Sequence, residues 1–107
     1  MSVIEVNDRN FIPEVQCSEV PVLLDFFGTW CVPCQRFAPT VEELAAESEG
    51  RYKVCKVDVN AAPGLVQQFR IMSVPTVLIV SEGREALRLV GGQDKAQLLQ
   101  ALNSISA

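Results

Sequence analysis

Two cysteines separated by two residues are the part of this 107-residue sequence with the clearest capacity for chemistry. Cys31 and Cys34 stand in the segment WCVPC (residues 30–34), two further cysteines stand alone at Cys17 and Cys55, and the chain has no histidine. A C-x-x-C pair can cycle between dithiol and disulfide, or supply half of a structural zinc site. Zinc usually needs a second Cys or His pair, and a structural disulfide across so short a loop stabilises little. The pattern therefore favours redox chemistry.

The elements on either side of the pair would position it for that chemistry. Residues 20–27 are nearly all apolar, which is typical of a strand covered on both faces, and apolar residues recur at helical spacing between 37 and 48. The free N–H groups and the positive dipole end at a helix start stabilise a thiolate, the form that attacks disulfides. We therefore expect Cys31 at the exposed tip of this helix and Cys34 within disulfide-bonding distance. Pro33 suits the first turn and stiffens the loop.

The rest of the chain alternates between strand and helix patterns. Further strands are predicted at 3–6, 52–59, 74–80 and 85–90, and further helices after Asn7 or Asp8, from Pro63, and from Asp94, which forms a capping box with Gln97. The turn at 81–84 makes the last two strands an antiparallel hairpin. The order βαβαβαββα predicts one α/β domain over residues 1–107, with four α-helices flanking a five-stranded mixed β-sheet.

Composition excludes several classes of function. Hydrophobic residues make up 49% and charged residues 21% of the chain, enough apolar content to fold. The net charge of −4, without a Lys/Arg cluster, argues against nucleic acid and anionic membrane surfaces as partners. No apolar run approaches the about 18 residues of a membrane span, and the first residues carry no targeting pattern, so we expect a cytoplasmic protein.

The segment around the cysteine pair resembles the active-site signature of the thioredoxin family. The signature occupies residues 25–34, and Pro39, Lys56, residues 74–76, Gly83 and Gly91 stand where the family has its landmark residues. The sequence of residues 69–76 looks like that of bacterial or organellar members. The resemblance covers the whole chain and implies the thioredoxin fold.

What the resemblance implies is a protein-disulfide reductase that binds no cofactor itself. Its partners would be disulfide-containing target proteins and a thioredoxin reductase that restores the dithiol with NADPH, and it would act as a monomer. Cys31 would attack the target disulfide, and Cys34 would resolve the mixed disulfide with Asp25 as its proton acceptor. Burial in an apolar strand should raise the pKa of Asp25. Lys56, which alone is typical of a surface lysine or a partner of Asp58, would lie near Asp25 and set its charge.

The resemblance also implies a docking surface for targets. Trp30, Met72, Val74 and Gly91 would form it together with Val32. Pro75 would follow a cis peptide bond, which from base rates alone would be trans. The backbone of Val74 would then pair with an extended target segment.

The chain departs from the family at two places. Val32 replaces the usual glycine between the cysteines, which predicts an altered redox potential of unspecified sign, and Phe27-Gly28 replaces the common Trp-Ala. Outside the pair, Cys55 is predicted to be a core residue and Cys17 an inert surface thiol.

Two other functions fit the same residues. One is an oxidase, isomerase or dedicated reductase outside the cytoplasm, which the lack of a histidine between the cysteines and of a signal peptide disfavours. The other is a binding module in which redox chemistry is incidental, which the intact Cys31, Cys34 and Asp25 disfavour.

Overall fold

A computed structural model describes residues 1–106, and its elements follow the predicted order; residue 107 of the predicted domain lies outside the described residues. The elements are β1 (Ile4–Glu5), a short first helix (Ile12–Gln16), β2 (Val22–Phe27), α1 (Val32–Ala46), β3 (Lys53–Asp58), α2 (Pro63–Gln68), β4 (Thr76–Ser81), β5 (Arg84–Val90) and α3 (Lys95–Ser106). Four helices and five strands thus confirm the predicted fold class within this range.

The apolar strand β2 lies at the centre of the sheet. The strand order is β1-β3-β2-β4-β5, in which β3 is parallel to β1 and β2, while β4 is antiparallel to β2 and β5. In the register of the sheet, Asp25 lies opposite Lys56 on β3 and Val77 on β4.

Alternation along the strands sends side chains into two cores, one on each face of the sheet. One core packs Leu24 and Phe26 against the first helix and α2, and the other packs Leu23 against α1 and α3. Each fully buried Leu or Phe contributes roughly 1.5–3 kcal/mol to stability. Since side chains alternate, Asp25 shares the face of Leu23 and points toward α1, the helix that carries the cysteines.

The first helix differs from the prediction in its winding. The sequence predicts an α-helix, but the structure has a five-residue π-helix. The turn closes when the N–H of Cys17 donates to the carbonyl of Ile12 at 2.9 Å, five residues earlier, which is the hydrogen-bond spacing of a π-helix. The predicted inner face is confirmed, since Phe11 and Val15 are both buried.

The two later helices are capped by side chains. The carboxylate of Asp8 accepts the N–H groups of Gly64 and Leu65 at 3.0 and 2.9 Å, at the start of α2. The predicted capping box of α3 is confirmed by reciprocal bonds between Asp94 and Gln97 at 3.1 and 2.8 Å. Within residues 1–106, no helix is long and apolar enough to cross a membrane.

Candidate active site

The cysteine pair lies where the chain turns from β2 into α1. Cys31 caps the helix with an extended backbone, and the N–H of Cys34 donates to its Sγ at 3.2 Å. The N–H of Cys31 donates to the carbonyl of Gly28 at 3.2 Å and closes the preceding turn. Both thiols are free. An N–H aimed at Sγ from the positive end of a helix favours negative charge on that sulfur.

The prediction that Cys31 lies at an exposed helix tip is wrong. Its side chain is only 5% exposed, as is that of Cys34. The cause is the loop before β4, where the carbonyl of Val74 accepts the Cys31 thiol at 3.8 Å. The exposed residue at the helix start is instead Val32, at 53%. A partner must therefore approach Sγ between α1 and the Val74 loop.

Hydrogen bonds hold that loop in place beside Cys31. The Val74–Pro75 peptide bond is cis, as the resemblance implied. The carbonyl of Pro75 accepts the N–H of Gly91 at 2.8 Å, and the hydroxyl of Thr76 donates to the carbonyl of Ser73 at 2.7 Å. The loop thus connects the cysteine pair to the end of β5.

Asp25 is buried, as its apolar neighbours predicted. It is 6% exposed, and its Oδ1 has no hydrogen-bond partner among the described residues. Burial raises the pKa of Asp25 from 3.8 to about 7, against the opposing effect of the Lys56 ammonium. The carboxyl of Asp25 therefore changes between its protonated and ionised forms near neutral pH.

Asp25 and Cys34 line the same cavity behind the cysteine pair. The cavity has a volume of about 270 Å³, and Phe27, Gly28 and Lys56 also line it. Burial and the hydrogen bond with Cys31 raise the pKa of Cys34 to about 11, and the negative charge of Asp25 adds to this effect. The N–H of Gly28 acts in the opposite direction by hydrogen bonding to the sulfur. Cys34 therefore holds its proton at neutral pH.

Lys56 lies on the same face of the sheet as Asp25. It shares the α1 side of the sheet with Val54 and lies opposite Asp25 in the β2–β3 register. Its Nζ is 5.8 Å from the ring centroid of Phe27, which is within cation–π range. The resemblance had implied this position near Asp25.

Only three of the predicted docking residues line one groove. Trp30, Met72 and Val74 line it together with Asn60 and Ile71, in a volume of about 300 Å³. Trp30 is 64% exposed and Met72 95%. The remaining two predicted residues lie outside this lining: Val32 begins α1, and Gly91 is bonded to Pro75.

Sequence reasoning missed several residues of the site, among them Asn60, Ile71 and Gly28. Asn60 and Ile71 flank α2, and no pattern in the sequence linked them to Trp30. Gly28 attracted notice only as a departure from the family, yet its backbone bonds to both cysteines. A glycine at this position within the signature was the available signal.

The other two cysteines lie apart from the pair. Cys55 is fully buried in the core, as predicted, and burial raises the pKa of its thiol to about 12. Cys17 is exposed at the end of the first helix. Among residues 1–106, no group of three or more Cys, Asp or Glu side chains is arranged to hold a metal ion.

Comparisons with known proteins match the chain almost from end to end. The thioredoxin family model covers residues 2–104. The chain is 38% identical over 104 residues to the thioredoxin of Mycobacterium tuberculosis, across 97% of this chain and 90% of that one. It is 42% identical over 98 residues to thioredoxin 1 of Nostoc, across 92% of each.

A third relative is longer. The chain is 40% identical over 102 residues to the bifunctional thioredoxin reductase/thioredoxin of Mycobacterium leprae, which is 95% of this chain but spans only 22% of that protein. Full-length matches and the paired thiols lead to one conclusion: the chain belongs to the thioredoxin family of protein-disulfide oxidoreductases, with Cys31 and Cys34 as its dithiol.

Proposed function

We propose that Cys31 and Cys34 reduce disulfides in target proteins, with Cys31 as the attacking and Cys34 as the resolving thiol. The observation that carries this assignment is the capped Cys31 sulfur, which accepts the N–H of Cys34 at 3.2 Å and faces the gap beside Val74. Cys34 lies on the cavity side, alongside Asp25.

The exchange runs in two steps. The Cys31 thiolate attacks one sulfur of the target disulfide, so that a mixed disulfide forms and the first target sulfur leaves as a thiolate. Cys34 then loses its proton and attacks the Cys31 sulfur, which releases the second target thiolate. The target gains two electrons, and Cys31 and Cys34 are left as a disulfide.

Asp25 is proposed to accept the proton of Cys34. The pKa of Cys34, about 11, makes its thiolate scarce at neutral pH, so the second step needs a base. Asp25 lines the same cavity and has a pKa of about 7, near the operating pH that suits a general base. Lys56 lowers that pKa and so keeps part of the carboxyl ionised.

Targets are proposed to dock on the groove beside Cys31. Trp30 and Met72 expose apolar surface there, and a flexible Met beside a rigid Trp suits partners of varied shape. An extended segment would pair with the backbone of Val74, next to Pro75 and Gly91. Main-chain pairing is independent of target sequence, which fits a general reductase.

Val32 and Pro33 are proposed to tune the pair. Both are exposed and begin α1 between the two thiols, where a β-branched residue and a proline restrict the backbone. We expect Val32→Gly and the wild type to differ in redox potential when each is equilibrated with glutathione. Equal potentials would remove Val32 from the tuning residues.

The partner and location are proposed on separate grounds. The printed name of the Mycobacterium leprae relative joins a thioredoxin reductase to a thioredoxin, which supports a reductase as the electron donor here.

Cys17 and Cys55 are unpaired, which is typical of a reducing compartment and supports the cytoplasm. The proposed state is a monomer, since one chain supplies every site residue, and sedimentation would test it.

Insulin reduction, driven by NADPH and a bacterial thioredoxin reductase, tests the proposal. We expect turnover with the wild type and with Cys17→Ser, and none with Cys31→Ser. Cys34→Ser should stop after one step and accumulate the mixed disulfide, which mass spectrometry detects. Wild-type turnover with dithiothreitol but not with the reductase would contradict the reductase partner. No turnover with either would contradict a reductase function altogether.

A further inference from the structure

Gly28 lies between the buried cysteine pair and the exposed side chain of Trp30. On one side its N–H bonds to the sulfur of Cys34, and its carbonyl accepts the N–H of Cys31. On the other side lies the indole of Trp30. A β-carbon at position 28 would lie 2.8 Å from Cε2 and 2.9 Å from Cζ2 of that ring.

Such distances are closer than a β-carbon and a ring carbon can approach. The indole can therefore occupy this position only because residue 28 has no side chain. A rigid bicyclic ring cannot yield at its middle atoms, so an added methyl group would force the whole side chain to rotate.

Backbone conformation does not explain why residue 28 is a glycine. Within residues 1–106, the glycines with positive φ are Gly50, Gly83 and Gly91, and Gly28 is not one of them. Alanine is thus allowed at position 28 by the backbone, and the three heavy atoms nearest to its β-carbon would all belong to the ring of Trp30.

The position of the indole shapes the groove proposed for target docking. Trp30 is 64% exposed and forms the wall of the groove next to Cys31, together with Val74. Because Trp is among the residues that dominate binding energy, a rotated indole changes what the groove accepts. A small disulfide, which reaches Cys31 without filling the groove, does not sense that change.

We propose that Gly28 is a positioning residue, which seats the Trp30 indole against the active-site turn and thereby sets selectivity for protein disulfides over small ones. The proposal rests on the proposed function of the groove. It concerns the contact of two residues, and Gly28→Ala keeps the backbone N–H and carbonyl groups that bond to the cysteines.

The test compares four proteins in single-turnover reactions: wild type, Gly28→Ala, Trp30→Ala and the double variant. For Gly28→Ala, we expect the ratio of the rate constant with insulin to that with hydroxyethyl disulfide to fall about fivefold, as for a displaced docking residue. Trp30 is the chain's only tryptophan, so a shift of its fluorescence emission reports its movement directly.

The double variant separates this contact from a backbone effect. Without the indole the added methyl meets no ring, so Gly28→Ala should not slow insulin reduction further in the Trp30→Ala background. Slowing in that background, or an unshifted Trp30 emission in Gly28→Ala, would overturn the proposal. If Gly28→Ala fails to fold, recovery of folding in the double variant supports the contact, and its failure overturns it.

Failure of the underlying function gives a different result. A wild-type protein that reduces neither disulfide would refute the proposed reductase function. The emission of Trp30 in Gly28→Ala would still decide whether Gly28 seats the indole.

Discussion

Replacing Asp25 with asparagine should remove a loss of stability that the wild type suffers as the pH rises. The carboxyl is 6% exposed and its Oδ1 has no hydrogen-bond partner among residues 1–106, so its charged form is poorly accommodated. Burial raises its pKa from 3.8 to about 7. Since one pKa unit corresponds to about 1.4 kcal/mol, the ionised carboxyl costs the folded state about 4 kcal/mol.

The direction of this pH effect follows from whether the folded or the unfolded chain holds the proton of Asp25. Well below pH 3.8 both the folded and the unfolded Asp25 are protonated, and the cost vanishes. Between 3.8 and about 7 the unfolded chain loses the proton while the folded chain keeps it, so wild-type stability falls with rising pH. The amide introduced by Asp25→Asn cannot ionise, so the variant lacks this loss.

Urea denaturation at a series of pH values measures the effect, with dithiothreitol present to keep the cysteine pair reduced. The free energy of unfolding of Asp25→Asn, minus that of the wild type, should rise by about 4 kcal/mol from about pH 4 to about pH 8. A difference in stability that the amide causes equally at every pH does not affect this change with pH. Glu19→Gln, which removes an exposed carboxyl in the same way, serves as the control.

A flat difference for Asp25→Asn would refute the reasoning. It would mean that the buried carboxyl ionises in the folded protein as it does in water. The argument that Asp25 is matched to the task of a base near neutral pH would then fall as well.

The remaining predictions concern neighbouring features of the fold. Replacing Lys56 with Met removes the ammonium that lowers the pKa of Asp25, so the upper end of the same pH window should move above pH 7; an unmoved window would contradict the pairing. The carboxylate of Asp8 accepts two N–H groups in the first turn of α2, so Asp8→Ala should lower the free energy of unfolding, measured with urea, by about 1–2 kcal/mol. It should also speed amide exchange in that turn. Unchanged exchange would show that the cap is dispensable. Iodoacetamide should modify Cys17 in the folded protein, while Cys55, buried and with a pKa of about 12, should react only after unfolding, as mass spectrometry of the peptides would show.

The order of elements and the burial of Asp25 could be predicted because both follow from local pattern. An unbroken apolar strand must be covered on both faces, so a carboxylate within it is buried. The capping box at Asp94 was likewise readable, since its partner Gln97 is three residues away.

Features that depend on contacts between residues far apart in the sequence, or on the rotation of a side chain, could not be predicted. Cys31 is covered by Val74, which lies 43 residues further along the chain. The contact of Gly28 with Trp30 depends on a side-chain rotation that no spacing reveals. The π winding of the first helix leaves the same inner residues buried as an α-helix would, so the apolar pattern does not distinguish them.

The reactive sulfur of Cys31 is also the cap of α1, and so one atom serves both the reaction and the helix. A sulfur bonded to a target carries no thiolate charge, and an uncharged acceptor holds an N–H less strongly than a charged one. In the proposed exchange, the mixed disulfide would therefore weaken the cap of α1. Cys34, the proposed second thiol, lies in the turn that this cap holds.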